Sequence, residues 1–458
     1  GLGDVYKRQI FLLMEGMMNK ILNIFLSFVL TAFFATSTFA ATKVVWWMES
    51  DATTDPVVQE FFVDAFNAEH DDIELEVVFK EDINDTIRPA LLSGSGPDIF
   101  DTPGASYIKI YQDAGLVKSL QEYADQYGWQ DKLLEWAYNS GVFSGELYSI
   151  PKNYETMIYF YNKTLFEENG WSLPNNLEEV EALAAKIKAK GMNPYAYGST
   201  GWQPTHEHLV GNYFNTYAGP DNVYKALIGE KKWTDPEFVE SIELLRKHMV
   251  DDGYWSGGLE TYYSLAWDDF NSEFVNRESA MLMIGTWGFN VTATNFAEVS
   301  DDWDWAALPI LHPQAGDRPN YQLATGGTMS VNAASKNPEA AAKVIDWILS
   351  DRARVLNVTG QLGYGAWLMP LHYEDSDFDP NIDPRQKRFL TEFAEATGTG
   401  NYGYTTWTFY PNDPGVHIWK DMEVVWAGDI TPLEFMEESQ RLWDKARADD
   451  ALVPVGKR

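Results

Sequence analysis

Short apolar strands alternate with amphipathic helices along this chain, and that alternation restricts it to layered α/β architectures. Residues 44–47 form one apolar strand, and Ile73, Leu75, Val77 and Phe79 alternate with charged or smaller neighbours as a half-buried strand does. Between them, Val58, Phe61, Phe62, Ala65 and Phe66 mark one face of a helix, with Asp55 placed to cap it and Pro56 in its first turn. The same punctuation recurs at Asp235-Pro236, Asn337-Pro338 and Thr431-Pro432, ahead of helices over 238–250, 340–349 and 433–443. Asn176 with Glu179 gives a capping-box-like start to a helix over 177–190, carried by Leu177, Val180, Leu183, Ala184 and Ile187. Residues 157–161, 280–284 and 327–331 read as further strands.

A length of 458 residues divides into roughly three domains or two large ones. With 34 basic against 68 acidic side chains the net charge is -34, which repels nucleic acid and anionic membrane surfaces. The chain has no cysteine, which excludes disulfides, thiolate metal sites, cysteine nucleophiles and lipid attachment through cysteine. No internal repeat is visible, so solenoids and propellers are not expected.

The first forty residues read as outside the fold. Asp4-Val-Tyr-Lys-Arg-Gln9 matches what a common sequencing-adapter transposon end encodes in one reading frame, which assigns residues 1–16 to read-through and the start to Met17 or Met18. Residues 17–40 then have the parts of a secretory signal peptide. Lys20 supplies the positive region, 21–34 the apolar run, and Thr38 and Ala40 the small residues before a cut after Ala40. Fourteen residues of helix reach only about 21 Å, short of a hydrocarbon core of about 30 Å, so a membrane anchor is not favoured.

Several motifs suggest chemistry and lose to simpler readings. Gly398-Thr-Gly400-Asn-Tyr-Gly403 has the spacing of a dinucleotide loop, but a helical pattern precedes it and an aromatic stretch follows, so it reads as a loop. His206-Glu207-His208 would set two imidazoles on one side of a strand, yet a zinc site needs further ligands and no HExxH spacing occurs. Adjacent Tyr262 and Tyr263 read as wall aromatics rather than ferric-ion ligands. No metal or cofactor is therefore expected. An exported glycoside hydrolase needs only two suitably spaced carboxylates, and so many acids make some such pair inevitable. Neither a GxSxG elbow nor a GxxxxGK[ST] loop supports another chemistry.

The aromatic content is the more telling feature: 18 Trp, 24 Tyr and 25 Phe, many beside Gly, Thr, Asn or Asp. Trp46-Trp47, Trp202, Trp287, Trp367 and Trp407 have that setting. Large rings are ordinary in cores, but a ring in a polar loop also offers its face to the C–H face of a sugar while neighbouring carboxylates bind the hydroxyls.

Seven segments, in order, resemble the periplasmic substrate-binding proteins of ABC importers, especially the large sugar-binding family that includes maltose-type proteins. They are VVWWMES (44–50), FNAEHDDIELEVVF (66–79), SGSGPDIFD (93–101), DAGLVKSL (113–120), GELYSIPKNYETMIYFYNKTLFEENGW (145–171), FVNRESAMLMIGTWGFN (274–290) and GGTMSVNAASKNPEAAAKVIDWILS (326–350). The resemblance implies two α/β lobes joined by two or three crossovers, with the ligand held in the cleft and a hinge that closes it. It divides the chain into a lobe of 41–152 and 326–363 and a lobe of 153–325 and 364–458. The crossings fall at Ile150-Pro151, at Gly326-Gly327 and near 363–367.

Site residues carry over where the motifs match. Trp287 of the 285–287 turn would stack on sugar, and Glu155, with Tyr154 adjacent, would accept ligand hydroxyls. The loop after the first strand would contribute Glu49, Ser50 or Asp51, and the loop after PDIF Asp101 or Thr102. Gly327 belongs to the returning segment, and Trp202, Tyr364, Trp367 and Trp407 are placed more loosely. Thr102 stands where maltose-type proteins carry a stacking aromatic, which argues against maltodextrin. The family implies a monomeric periplasmic binding protein without catalysis, its partners a carbohydrate and an inner-membrane ABC permease. A glycerol phosphate would call for a basic cleft, and no matched position is basic. A polyamine would suit the acidic residues, and a secreted glycoside hydrolase is the rival outside the binding class.

Overall fold

The computed structural model describes residues 41–199, 205–363, 365 and 367–458. The predicted alternation is present. Among the described residues the strands are β1 (Thr42–Glu49), β2 (Ile73–Lys80), β3 (Ile99–Thr102), β4 (Val142–Phe143), β5 (Glu146–Leu147), β6 (Ile150–Glu155), β7 (Met157–Asn162), β8 (Asn193–Ala196), β9 (Ser279–Gly285), β10 (Trp303–Ala306), β11 (Tyr321–Val331) and β12 (Tyr402–Tyr404). One sheet runs β12-β11-β3-β1-β2, with β6 also on β11; a second runs β10-β7-β9-β8. β1 is parallel to both β2 and β3, whereas β11 runs antiparallel to β3 and β6. β9, antiparallel to β7 and parallel to β8, is buried along its whole length, which explains why it reads as a continuous apolar run rather than an alternating one.

Two large apolar cores flank these sheets. One gathers Val44, Trp46, Phe62, Phe66, Ile99, Met329 and Val331, with Val344, Ile345 and Ile348 from helix Pro338–Leu349. The other gathers Phe160, Leu282, Ile284, Phe214, Trp233, Phe289 and Trp443. Three segments pass between them. β6 begins with Ile150 in the first core and ends with Tyr154 in the second. β11 starts with Tyr321 and Leu323 in the second and ends with Met329 and Val331 in the first. In the third, Trp367, Met369 and Leu371 pack in the first core while Leu368 faces the second. The crossings are tied together: the Tyr154 amide donates to the Leu368 carbonyl at 2.9 Å, and the Leu368 amide donates to Asn153 Oδ1 at 3.1 Å.

Two local expectations change. Asp55 does not cap the first helix; it lies within it, accepting from Ser50 Oγ at 2.7 Å and the Asp51 amide at 2.9 Å. Asp51 takes the capping role through the Thr53 and Thr54 amides. His206, Glu207 and His208 lie on a π-helical segment, Thr205–Val210, instead of a strand, so their rings diverge: His206 meets Tyr410 and His208 meets Tyr197. Among the described residues, no helix is long and apolar enough to cross a membrane.

Candidate ligand-binding site

The carboxyl end of β1, the start of β6 and an irregularity in β11 enclose a cavity of about 330 Å³ lined by Met48, Glu49, Ser50, Asp51, Thr54, Lys152, Asn153, Gly326, Gly327 and Trp367. Open α/β sheets place ligands outside the carboxyl ends of parallel strands, where loop groups converge and backbone dipoles end unpaired. The register of β11 against β6 shifts on both sides of Gly327. Glycine is required beside that shift, because any side chain at Gly326 would run into the Glu155 carboxylate.

The charges around this cavity are arranged in layers. Lys152 pairs with buried Asp101, which also accepts from the Trp46 indole N–H at 2.8 Å. The Lys152 ammonium also lies 4.9 Å from the centre of the Trp367 ring. Desolvation pushes the Asp101 carboxyl up, with Lys152 opposing. Glu49 is open to solvent yet crowded by the cleft wall, and desolvation raises its carboxyl as well, again against the pull of Lys152. Glu155 is buried, and its carboxyl is pushed well above the ordinary range, first by desolvation and then by the charge of Glu207. Asn153 donates to Glu155 Oε2 at 3.1 Å.

Glu207 belongs to a second polar cluster. Its Oε1 accepts from the Trp407 indole at 2.7 Å, and its Oε2 lies 3.1 Å from His208 Nε2. The His208 ring faces Trp287 at 5.4 Å and 35°. Trp287 stands in the turn between β9 and helix Gly288–Phe296, half-buried, with its ring over Gly285.

The residues named from sequence therefore separate into groups. Glu49, Ser50, Asp51, Gly327 and Trp367 line the cavity, and Glu155 sits against its Gly326 edge. Ser50 and Asp51 have side chains engaged in the turn at Asp55, and Asp101 sits beneath Lys152. Thr102 Oγ1 is bonded to Thr328 Oγ1 at 2.7 Å across the β3–β11 pair, and Tyr154 stacks on Phe393 at 4.9 Å within the second core. Trp287 and Trp407 meet the Glu207–His208 pair instead of the cavity lining. Trp202 and Tyr364 lie outside the described residues.

Lys152 and Asn153 were missed as cavity residues, and Glu207 and His208, read only as a rejected metal motif, were missed as the buried partners of Glu155, Trp407 and Trp287. Lys152 and Asn153 follow Pro151 directly in the segment that yielded Glu155, so the motif was there to find them. Lys152 corrects the expectation of a cleft without a base, although Asp101 takes up its charge.

Residues 50–355 match the family described as bacterial extracellular solute-binding proteins. The chain belongs to that family. This solute-binding protein is 24% identical over 408 residues to the diacetylchitobiose binding protein NgcE of Streptomyces coelicolor, covering 82% of this chain and 78% of the relative. It is 22% identical over 321 residues to a multiple sugar-binding protein of Streptococcus mutans, covering 67% and 70%. Among solved structures, a chitin oligosaccharide binding protein superposes with a TM-score of 0.75 at 19% identity, over 89% of this chain and 99% of the other. At that identity the likeness establishes the fold, that of two-lobe solute-binding proteins.

Proposed function

We propose that this protein captures a sugar or oligosaccharide between two lobes and delivers it to an ABC permease, without catalysis of its own. The observation that carries the reading is the cavity at the β1 end. It lies where β6, β11 and the segment from Trp367 to Leu371 pass between the two cores, and it offers carboxylates and an amide together. Rotation about those three segments would change the cleft while leaving each core intact. The lobes would be 41–152 with 326–363 and 153–325 with 364–458, the last crossing spreading to Leu371, which packs with the first core. Relatives named for diacetylchitobiose and for multiple sugars support a carbohydrate ligand.

Export to the periplasm as a diffusible monomer, with cleavage after Ala40, completes the reading. Edman sequencing of exported protein is expected to start at Ala41. A chain still carrying Met17 or Met18 would oppose it.

A second ligand class has two observations in its favour. Lys152 at the cavity, and a relative named as an sn-glycerol-3-phosphate-binding periplasmic protein from Agrobacterium fabrum, 26% identical over 242 residues, fit a phosphorylated polyol. The carboxylates Glu49 and Asp51 would repel it and would suit a polyamine. A thermal-shift screen with mono- and oligosaccharides, glycerol 3-phosphate and putrescine separates these arms. Saturation with the stabilising sugar should lower the radius of gyration in small-angle scattering. Stabilisation by glycerol 3-phosphate or putrescine alone would replace the sugar reading.

A further inference from the structure

Far from the cleft residues in the chain, helix Pro236–Arg246 continues into a π-helical turn, Lys247–Asp251. Such turns insert a residue into the helical repeat and re-aim side chains, and they recur at functional sites. Here the Asp252 amide bonds back to the Lys247 carbonyl at 2.8 Å. His248 and Asp252 thereby face Glu181 on helix Leu177–Lys188. The donor atoms of Glu181, His248 and Asp252 all lie within 4.8 Å of one another.

The imidazole is the informative member of this group. His248 is fully buried, its ring stacked on Tyr254 at 4.6 Å and its Nδ1 bonded to the Tyr213 hydroxyl at 2.6 Å. An outer partner on one ring nitrogen is the arrangement that aims the other nitrogen at a metal. That other nitrogen, Nε2, points into the group and meets Glu181 Oε1 at 3.4 Å, at the outer edge of hydrogen bonding. Two ligands on one tetrahedral zinc, each about 2.0–2.2 Å from it, stand roughly 3.3 Å apart.

A cation already favours this point. The Lys247 ammonium bridges Glu181 at 2.8 Å and Asp252 at 2.7 Å. Its side chain is nearly half exposed, so it can withdraw to water while the backbone stays in place. Lys188 donates to the Asp252 backbone carbonyl, so Lys247 and the Tyr254 hydroxyl are the groups a metal ion would have to share the Asp252 carboxylate with.

We propose that Glu181, His248 and Asp252 form a binding site for a divalent transition-metal ion of the zinc type, with Lys247 as the built-in competitor. One nitrogen and two carboxylate donors suit zinc with water in the remaining position. Calcium and magnesium prefer all-oxygen sites and gain little from the imidazole.

The test is calorimetric titration of EDTA-dialysed full-length mature protein with zinc sulfate, beside thermal unfolding. Wild type should bind one equivalent of zinc, raise its unfolding midpoint by roughly 3 °C at saturation, and show no such response to magnesium or calcium. Glu181→Gln, at a partly exposed position that should not disturb folding, should weaken zinc at least about tenfold. Lys247→Met removes the competitor and should tighten it by about tenfold, which a simple ion-pair role for the triad does not anticipate. Equal zinc binding by wild type and Glu181→Gln would place the ion elsewhere and overturn the proposal. So would zinc binding that weakens in Lys247→Met, or an absence of binding in both wild type and that variant.

Discussion

Trp367→Ala should cost about 3–5 kcal/mol of unfolding free energy while leaving ligand affinity within a few-fold of wild type. The ring is 2% exposed, with Trp46 at 5.9 Å and Phe62 at 5.0 Å, both edge-on, and the Lys152 ammonium near its face. A sugar would have to displace that ammonium to stack there. The backbone reinforces the point, since Trp367 sits at φ 58°, a left-handed conformation that bulky residues adopt only where packing over-determines it. Denaturant unfolding and calorimetric titration on the same variant decide the matter. A loss below about 1 kcal/mol of stability together with abolished binding would return Trp367 to the ligand.

The opposite result is expected at Trp287. On the stacking role its family motif implies, Trp287→Ala should weaken the ligand by about five- to 150-fold, equivalent to 1–3 kcal/mol for one lost stacking contact. Its ring is half-buried, tilted against His208, and stands on Gly285 at a strand-to-helix turn instead of inside an apolar stripe. Truncation there opens a void that solvent can fill, so the folding cost should fall below that at Trp367. Normal affinity with a large stability loss would remove Trp287 from the site.

These two tryptophans mark how far the sequence could be read. Both stand in short small-residue stretches, so composition alone gave them equal standing, and only the 285–287 motif set Trp287 ahead of the more loosely placed Trp367. What separates them is contact: Trp367 meets Trp46 and Phe62, residues about 300 positions earlier, which no local pattern encodes. The strands were legible because alternation and apolar runs are local. Thr431 was legible as a cap because its hydroxyl meets the Glu434 amide three residues on, at 3.2 Å. Asp55 was not, since the helix begins one residue earlier, at Thr54, and Asp51 accepts the Thr53 and Thr54 amides at its start. Lys152 escaped for a similar reason: its meaning depends on Asp101, on a different strand. The motif singled out Glu155, and the structure sets it at the cavity edge, but its buried state depends on Gly326 and Glu207, which tertiary folding brings to it.

β11 closes the first sheet against β3, with Thr328 opposite Thr102, a separation of 226 residues. During synthesis β3 is therefore left as an open edge until most of the chain has emerged, because its other neighbour, β1, covers only one side. An unpaired edge made of Ile99 and Phe100 is a site for wrong partners. Loop closure over such a distance also makes folding slow. Under the export proposed above, slow closure would be useful: the strand that completes the sheet arrives late, and the unfolded chain would stay exportable for longer.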